Sequence, residues 1–174
     1  MPAIVRPHAG KRPQVAATAF LAETAAVIGD VVIGEGSSIW YSTVVRGDVM
    51  PIRIGARTSV QDGAVVHVTD GVSGTVIGDD VTIGHSAIIH ACTIEDGCLI
   101  GMGAIVLDKA RIGRGSFVGA GALVTPGTDI PPNSFVLGSP ARVKREVTAK
   151  EREQIAFGAA HYVELARRYL AESG

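Results

Sequence analysis

Three histidines lie close together in an aliphatic part of the chain and could jointly bind a metal ion. They are His67, His85 and His90, out of 5 histidines in the sequence, and two of them belong to the segment VIGDDVTIGHSAIIHACTI. Neutral imidazole is the commonest metal ligand in proteins, and zinc held by three imidazoles keeps an open position for water or substrate. Such a metal makes hydroxide available at neutral pH by lowering the pKa of bound water. The chemistry therefore depends on an element that brings the three rings together.

An aliphatic residue recurs at every sixth position around these histidines. In the longest uninterrupted run the sixth-position residues are Ile94, Ile100, Val106, Ile112, Val118, Val124, Ile130 and Val136. Glycine often follows, as after Ile77 and Ile83, and its conformational freedom suits a corner. A helix repeats about every 3.6 residues and a strand about every 2, so neither explains this pattern. A period of six is typical of a parallel β-helix, in which three hexads, each with one strand and one corner, make a coil of about 18 residues.

The pattern changes near the C-terminus, where the residues follow a helical period. Thr148 and Glu151 have the spacing of a capping box, and the aliphatic and aromatic residues after them lie on one stripe of a helix. The sequence therefore predicts an all-β solenoid with a C-terminal α-helix packed on its outside. The predicted parts are an N-terminal segment at residues 1–14, a β-helix at 15–141 and the helix at 148–172.

The charge and composition of the chain argue against several classes of function. Its 16 basic and 17 acidic residues are interspersed and give a net charge of -1, so no broad positive surface for nucleic acid or anionic lipid is expected. No stretch approaches the roughly 20 apolar residues of a membrane span, and the N-terminus lacks an apolar signal region. We therefore expect a cytoplasmic protein without nucleic-acid or membrane partners. Cys92 and Cys98 are too few for a disulfide framework and are interpreted as small core or surface thiols.

Counting hexads assigns the histidines to faces of the β-helix. Val66 and Ile89 are anchors of the same face on successive coils, and His67 and His90 follow them directly. The two imidazoles are therefore predicted to stack about 5 Å apart and to point outward. His85 belongs to another face, so it could complete the site from a neighbouring chain, and repeating that contact about a threefold axis closes a homotrimer with three sites. The alternative is that all three histidines are ordinary solvated side chains.

Three segments, WYSTVVRGD, IRIGARTSVQDGAVVH and GHSAIIH, resemble signature segments of the γ-class carbonic anhydrase family within the hexapeptide-repeat superfamily. The resemblance extends over about residues 10 to 170. Its most specific part is an ordered set of polar residues: Arg46, Asp48, Gln61, Asp62, His67, His85 and His90. The resemblance implies a left-handed β-helix trimer in which three histidines at each subunit interface bind zinc, with Fe2+ or Co2+ as alternatives. It also implies the reversible hydration of CO2 to bicarbonate.

The resemblance also implies roles for residues around the histidines. Gln61 would hydrogen-bond the hydroxide or orient CO2, and its alternative role is that of a polar residue in the strand ladder. Arg46 and Asp48 would be scaffolding residues. Arg46 would pair across the interface with Asp62, which would fix the register of the trimer and brace the histidines.

Hydration of CO2 releases a proton, and two further residues, Asp70 and Tyr162, are candidates for carrying it away from the site. The best-known active members of the family carry a long acidic loop after the first histidine, whereas this chain has the short segment VTDGVSG, in which Asp70 is the sole carboxylate. Val49 stands where those members have a second acidic residue. Tyr162 of the predicted helix is a further candidate for reaching the site, and its alternative role is packing of the helix on the β-helix. A missing proton relay would slow CO2 hydration without affecting metal binding.

Three other functions remain open at the level of sequence. The segment GSPARVKR resembles the Gly-x-Pro-Ala segment that follows the coil in many hexapeptide-repeat acyl-CoA transferases, although those enzymes generally use one catalytic histidine. A thioesterase could use the same metal site, because hydroxide attacks an acyl carbonyl as well as CO2. A trimeric metal-binding scaffold without significant CO2 hydration is the third.

Overall fold

Short parallel strands and one long helix make up the computed structural model, which describes residues 2–172. The strands of the first half are β1 (Ile4–Arg6), β2 (Gln14–Val15), β3 (Phe20–Leu21), β4 (Ala26–Ile33), β5 (Ser38–Ile39), β6 (Val44–Ile54), β7 (Ser59–Val60), β8 (Val65–His67), β9 (Thr75–Ile77) and β10 (Thr82–Ile83). The remaining elements are β11 (Ile88–His90), β12 (Thr93–Ile94), β13 (Leu99–Ile100), β14 (Ile105–Val106), β15 (Arg111–Ile112), β16 (Phe117–Val118), β17 (Leu123–Val124), β18 (Asp129–Ile130), β19 (Ser134–Gly138), β20 (Ala141–Glu146) and α1 (Ala149–Glu172). The predicted fold class is confirmed: the chain is a left-handed parallel β-helix of hexapeptide repeats with a C-terminal helix.

The strands stack into three faces. The first face contains β1, β4, β6, β8, β11, β14 and β17, the second contains β2, β4, β6, β9, β12, β15 and β18, and the third contains β3, β5, β7, β10, β13, β16 and β19. Strand β6 belongs to two faces because its first residues pair with β8 and its last residues pair with β9. The side chains at the corners between faces are therefore stacked from coil to coil, which is the property that a shared site requires.

The core is a set of aliphatic ladders formed by the sixth-position anchors. On the first face the ladder runs through Val45, Val66, Ile89, Val106 and Val124, which are register partners on successive coils. All five are 0% exposed. Burying one such side chain stabilises the folded state by about 1.5–3 kcal/mol, so the ladders supply most of the stability of a prism this narrow. The residue next to each anchor points to the outside.

Helix α1 packs on the third face through an aromatic cluster. The indole of Trp40 meets the rings of Phe20, Tyr162 and Tyr169 at centroid distances of 5.1, 5.6 and 5.3 Å. The Trp40 Nε1–H donates to the hydroxyls of Ser38 and Ser59 at 3.0 Å, so the polar end of the ring is also satisfied. The helix starts with the capping box that the sequence indicates, because Thr148 N donates to Glu151 Oε2 at 2.8 Å and Glu151 N donates to Thr148 Oγ1 at 3.3 Å.

Two short strands extend the stack at its ends. Within the predicted N-terminal segment, β1 pairs in parallel with β4 and adds a further step to the first face. After β19 the chain reverses, and β20 pairs antiparallel with β19 before the helix begins. Across residues 2–172, no helix combines the length and the apolar character that crossing a membrane requires.

Candidate metal centre

His67 and His90 stand one above the other at the end of the first face. Their Cα atoms are register partners of β8 and β11, as the hexad count predicts. The ring centroids are 5.2 Å apart, and Nδ1 of His67 lies 3.2 Å from Nε2 of His90. Both side chains are partly exposed, at 19% for His67 and 29% for His90. The pair is therefore accessible from outside the prism while its orientation is set by the β-ladder.

The spacing of the two facing nitrogens fits a shared metal ion. Two nitrogen ligands on one tetrahedral zinc, each at roughly 2.0–2.1 Å from the metal, are about 3.3 Å from each other. The observed separation is 3.2 Å. The outer nitrogens of both rings are next to carboxylates, Asp48 for His67 and Asp108 for His90. If each outer N–H donates to its carboxylate, both inner nitrogens carry lone pairs, and only a proton or a metal cation between them makes that arrangement favourable.

Asp108 is a functional candidate that the sequence analysis missed. Its Oδ1 accepts from His90 Nδ1 at 2.7 Å, and its Oδ2 accepts from the Thr69 hydroxyl at 2.6 Å. These hydrogen bonds, from Thr69 first and then from His90, lower the pKa of Asp108 below its ordinary value. The repeat did not mark Asp108, because Ile89 pairs with Val106 and Asp108 therefore lies one position beyond the residue that stacks on His90.

His67 is supported by Asp48 and Arg46, which lie on the preceding coil. Asp48 Oδ1 lies 3.1 Å from His67 Nε2, and Arg46 forms a close ion pair with Asp48 through its Nη1. Burial alone would raise the pKa of Asp48, but the hydrogen bonds from Arg46 and His67 outweigh it and lower the pKa. Arg46 and Asp48 therefore have the scaffolding geometry expected of them. The pairing of Arg46 with Asp62 across an interface stays a prediction.

His85 lies at a different corner, after β10, where the chain turns at Ser86 with a φ of 57°. Its Nδ1 is 2.9 Å from Asp62 Oδ2, which leaves Nε2 available, and its side chain is 44% exposed. Among residues 2–172 of a single chain, no three or more His, Cys, Asp or Glu side chains are arranged to hold one metal ion. A three-histidine site would therefore need a residue from a second chain.

The first face, which separates the two histidine corners, carries an outward-facing apolar ladder. Its register partners are Ile4, Ala26, Val44, Val65, Ile88, Ile105 and Leu123, which we call the apolar ladder. Val65 and Ile88 remain 36% and 37% exposed in the single chain. The corresponding ladder on the second face is Gln14, Val32, Arg53, Val76, Thr93, Arg111 and Asp129. A contiguous apolar strip, as on the first face, is typical of a surface that contacts another protein. A ladder that carries charged groups, as on the second face, is typical of a surface that faces solvent.

Gln61 lies at the end of β7, close to the corner that carries His85. It is 6% exposed. With His85 and Thr82 it lines a cavity of about 330 Å3, whose apolar lining includes Leu99, Met102 and Phe117. The structure therefore brings Gln61 together with His85 and not with the His67–His90 pair of the same chain.

Tyr162 and Asp70 differ in how they relate to the site. Tyr162 packs edge-on against Trp40 at 5.6 Å, and burial, together with the charge of Asp62, raises its pKa. The packing role is thus present, and Asp62, which contacts His85, is near enough for its charge to act on this tyrosine. Asp70 lies in the exposed turn bridged by Thr69 and Ser73, three residues after His67, but it forms no hydrogen bond to another described residue.

The sequence is similar to known proteins over most of its length. Residues 74–106 and 91–126 match the bacterial transferase hexapeptide (six repeats) family. The chain is 46% identical over 168 residues to a carbonic anhydrase of Geobacillus kaustophilus, a match that covers 97% of this chain and 92% of that protein. It is 48% identical over 168 residues to gamma carbonic anhydrase 1, mitochondrial, of Arabidopsis thaliana. That match covers 94% of this chain and 61% of the plant protein, so the chain spans less than two thirds of that relative.

A solved structure shares the fold from end to end. It is a crystal structure from Bacillus cereus, named as a presumed acetyltransferase, with 46% sequence identity and a TM-score of 0.95. The superposition covers 97% of this chain and 98% of that chain. Because one fold supports several chemistries, the backbone likeness alone does not fix the reaction.

Proposed function

Because the chain belongs to the γ-class carbonic anhydrase family of hexapeptide-repeat proteins, we propose that it hydrates CO2 reversibly to bicarbonate at metal sites between the subunits of a homotrimer. The observation that carries the proposal is the pair of ring nitrogens of His67 and His90, 3.2 Å apart. A carboxylate lies behind each ring, so the pair has the donor set and the bracing of a metal site.

His67 and His90 of one subunit and His85 of the neighbouring subunit would be the metal ligands. Imidazole nitrogen suits zinc, and Fe2+ and Co2+ are alternatives for the same donors. When bound, zinc in such a site supplies a hydroxide nucleophile at neutral pH, because the pKa of water falls to about 7, as is known generally for carbonic anhydrases.

The apolar ladder supports the trimer that this site needs. It occupies the face between the two histidine corners, and burying it against a neighbouring subunit would bring the His85 corner of one chain toward the histidine pair of the next. When this heterologous contact is repeated about a threefold axis, the apolar ladder of each of the three subunits is buried. Removing apolar surface from water contributes about 25 cal/mol per Å2, which favours association over a solvated monomer.

The remaining polar residues would orient the substrate and hold the ligands. The Gln61 amide, which lines the same cavity as His85, can donate a hydrogen bond to an oxygen of CO2. Asp62 holds the His85 ring through Nδ1, which leaves Nε2 available as a ligand atom. Hydration releases one proton per turnover, and the exposed Asp70 carboxylate, in the turn after Thr69, is the candidate for passing it to buffer.

Metal content and CO2 hydration, measured on the same preparation, test the function. Protein purified without chelator and protein loaded anaerobically with Fe2+, Co2+ or Zn2+ are assayed by stopped flow. We expect about one metal ion per chain and hydration that is lost when the metal is removed. Bound metal without hydration would contradict the enzymatic proposal and favour a scaffold, and a chain that binds no metal would contradict the site itself.

Mixing two inactive variants tests the shared site. His85→Ala retains the histidine pair, and His90→Ala retains the donated ligand, so neither variant alone can complete a site. In a randomly reassembled equimolar mixture, about a quarter of the interfaces would combine the two intact halves. We expect metal binding and hydration to return to about that fraction. A mixture as inactive as its components would contradict donation of His85 by a neighbour.

One observation favours a second candidate, hydrolysis of a small thioester at the same site. The cavity beside His85 has a volume of about 330 Å3 and an apolar wall of Leu99, Met102 and Phe117. That volume lies within the range of small-molecule pockets and exceeds what CO2 needs. Release of free thiol from acetyl-CoA, compared with CO2 hydration in the same preparation, separates the two activities.

A further inference from the structure

Asp108 holds the His90 ring from the side opposite His67. The carboxylate uses both oxygens, because Oδ1 accepts from His90 Nδ1 at 2.7 Å and Oδ2 accepts from Thr69 Oγ1 at 2.6 Å. The Asp108 side chain is 27% exposed, so these contacts do not arise from burial in the core. A carboxylate with both oxygens engaged has one orientation, and it presents a fixed acceptor to the ring.

Thr69 lies in a turn that an insertion in the hexad repeat creates. His67 and His90 are register partners 23 residues apart, instead of the roughly 18 of a regular three-hexad coil, and the extra residues form the turn bridged by Thr69 and Ser73. The insertion that interrupts the hexad period thereby supplies the hydroxyl that orients Asp108. Val68 and Thr75 flank this turn, and Thr75 Oγ1 donates to the His67 carbonyl at 2.6 Å, which ties the turn to the strand.

We propose that Asp108, oriented by Thr69, is a positioning residue that keeps His90 in the Nδ1–H tautomer, with the Nε2 lone pair directed at the metal position. The inference rests on the proposed function, in which His90 is a metal ligand. An imidazole can bind a metal only through an unprotonated nitrogen, so a partner that retains the proton on Nδ1 selects Nε2 as the ligand atom. The carboxylate also makes the ring a better donor.

The consequence is a measurable effect on both metal affinity and tautomer. Removing a carboxylate behind a ligand histidine typically weakens metal binding by about 10- to 100-fold. Without Asp108, the apo protein would no longer favour Nδ1–H over Nε2–H at His90. A purely structural role for Asp108 would change neither the zinc affinity nor the ring tautomer of a chain that remains folded.

The test compares variants of the full chain at two readouts. Zinc affinity is measured by competition with a chromophoric chelator, and the His90 tautomer is measured in metal-free, 15N-histidine-labelled protein at pH 8, with the resonances assigned from His90→Ala. For Asp108→Ala we expect about 10- to 100-fold weaker zinc binding and a shift toward Nε2–H. Asp108→Asn keeps a neutral acceptor, so it should recover part of both losses.

Three further variants test the hydrogen bonds around Asp108. Thr69→Val removes the hydroxyl that orients Asp108 and should weaken zinc binding by less than Asp108→Ala, and Thr69→Ser should restore it. Asp129→Ala is the matched control, because Asp129 forms an exposed ion pair with Arg111 on the second face and should bind zinc like wild type.

The outcomes for the two proposals are distinct. Wild-type affinity together with the wild-type tautomer in Asp108→Ala would overturn the role of Asp108 while leaving the metal site in place. Absence of zinc binding by the wild-type chain would overturn the proposed function, and the tautomer measurement on metal-free protein would still decide the role of Asp108.

Discussion

The Cα atoms of His67 and His90 are register partners on neighbouring strands, although the residues are 23 positions apart in the chain. Their facing ring nitrogens are 3.2 Å apart because the parallel ladder imposes the same backbone position on both coils. The geometry of the pair is thus a property of the solenoid backbone. Substituting either side chain should leave that backbone intact.

His90→Ala should abolish stoichiometric metal binding while the β-helix remains folded. The side chain points outward and is 29% exposed, so its removal leaves no core cavity, and stability should change by less than about 1 kcal/mol. Elemental analysis and thermal unfolding followed by circular dichroism measure the two effects. His161→Ala, on the outer surface of α1, is the matched control. Full metal occupancy in His90→Ala would remove His90 from the ligand set.

Ile88→Lys should convert the proposed trimer into monomers. Ile88 is part of the apolar ladder, and a buried lysine without a partner at a subunit contact is strongly unfavourable. Thr93→Lys is the control, since Thr93 is an exposed strand residue of the same coil on the second face. Light scattering coupled to size exclusion gives both masses. A trimer that survives Ile88→Lys would contradict assembly through this face.

The hexad period was sufficient to predict the fold and the stacking of the histidine pair. Treating the insertion between His67 and His90 as a bulge without an extra corner placed both on one face, and the register confirms it. The period also placed His85 on another face, as found at the corner after β10. These outcomes follow because a solenoid converts sequence separation directly into spatial position.

Features that depend on side-chain direction were not predictable in the same way. Asp108 is a single carboxylate in the segment VLDKA, and only its rotamer and the Thr69 hydroxyl show that it faces His90. Strand β20 is mostly polar and has no aliphatic hexad, so the antiparallel return after β19 has no periodic signal. The Asp62–His85 contact likewise depends on two side chains at a tight corner.

Cys92 and Cys98 should be unreactive in the native protein. Both are buried in the aliphatic core, at 1% and 0% exposure, and burial raises the pKa of each thiol to about 12. Because the thiolate is the nucleophile, a disulfide reagent such as DTNB at pH 8 should titrate almost no thiol until denaturant is added, and then both. Rapid reaction of either cysteine without denaturant would show that the coil around it opens.

Glu151→Gln should remove a stabilising contribution that is present at neutral pH and absent in strong acid. Glu151 accepts hydrogen bonds from Arg145 at 2.7 and 2.8 Å and from the Thr148 backbone N–H at 2.8 Å. Arg145 first, and then Thr148, lower the pKa of Glu151 from 4.5 to about 2. A group whose pKa is lower in the folded state stabilises that state above its unfolded pKa, and the effect is lost as the pH falls through the folded value.

The difference in unfolding free energy between wild type and Glu151→Gln should therefore be constant above about pH 5 and decline between pH 4.5 and about 2. Urea unfolding at a series of pH values measures it. Glu153→Gln, at an exposed glutamate two residues further along α1, should show no comparable decline, because no basic side chain among the described residues pairs with it. A difference for Glu151→Gln that stays constant down to pH 2 would mean that the carboxylate charge does not stabilise the start of the helix.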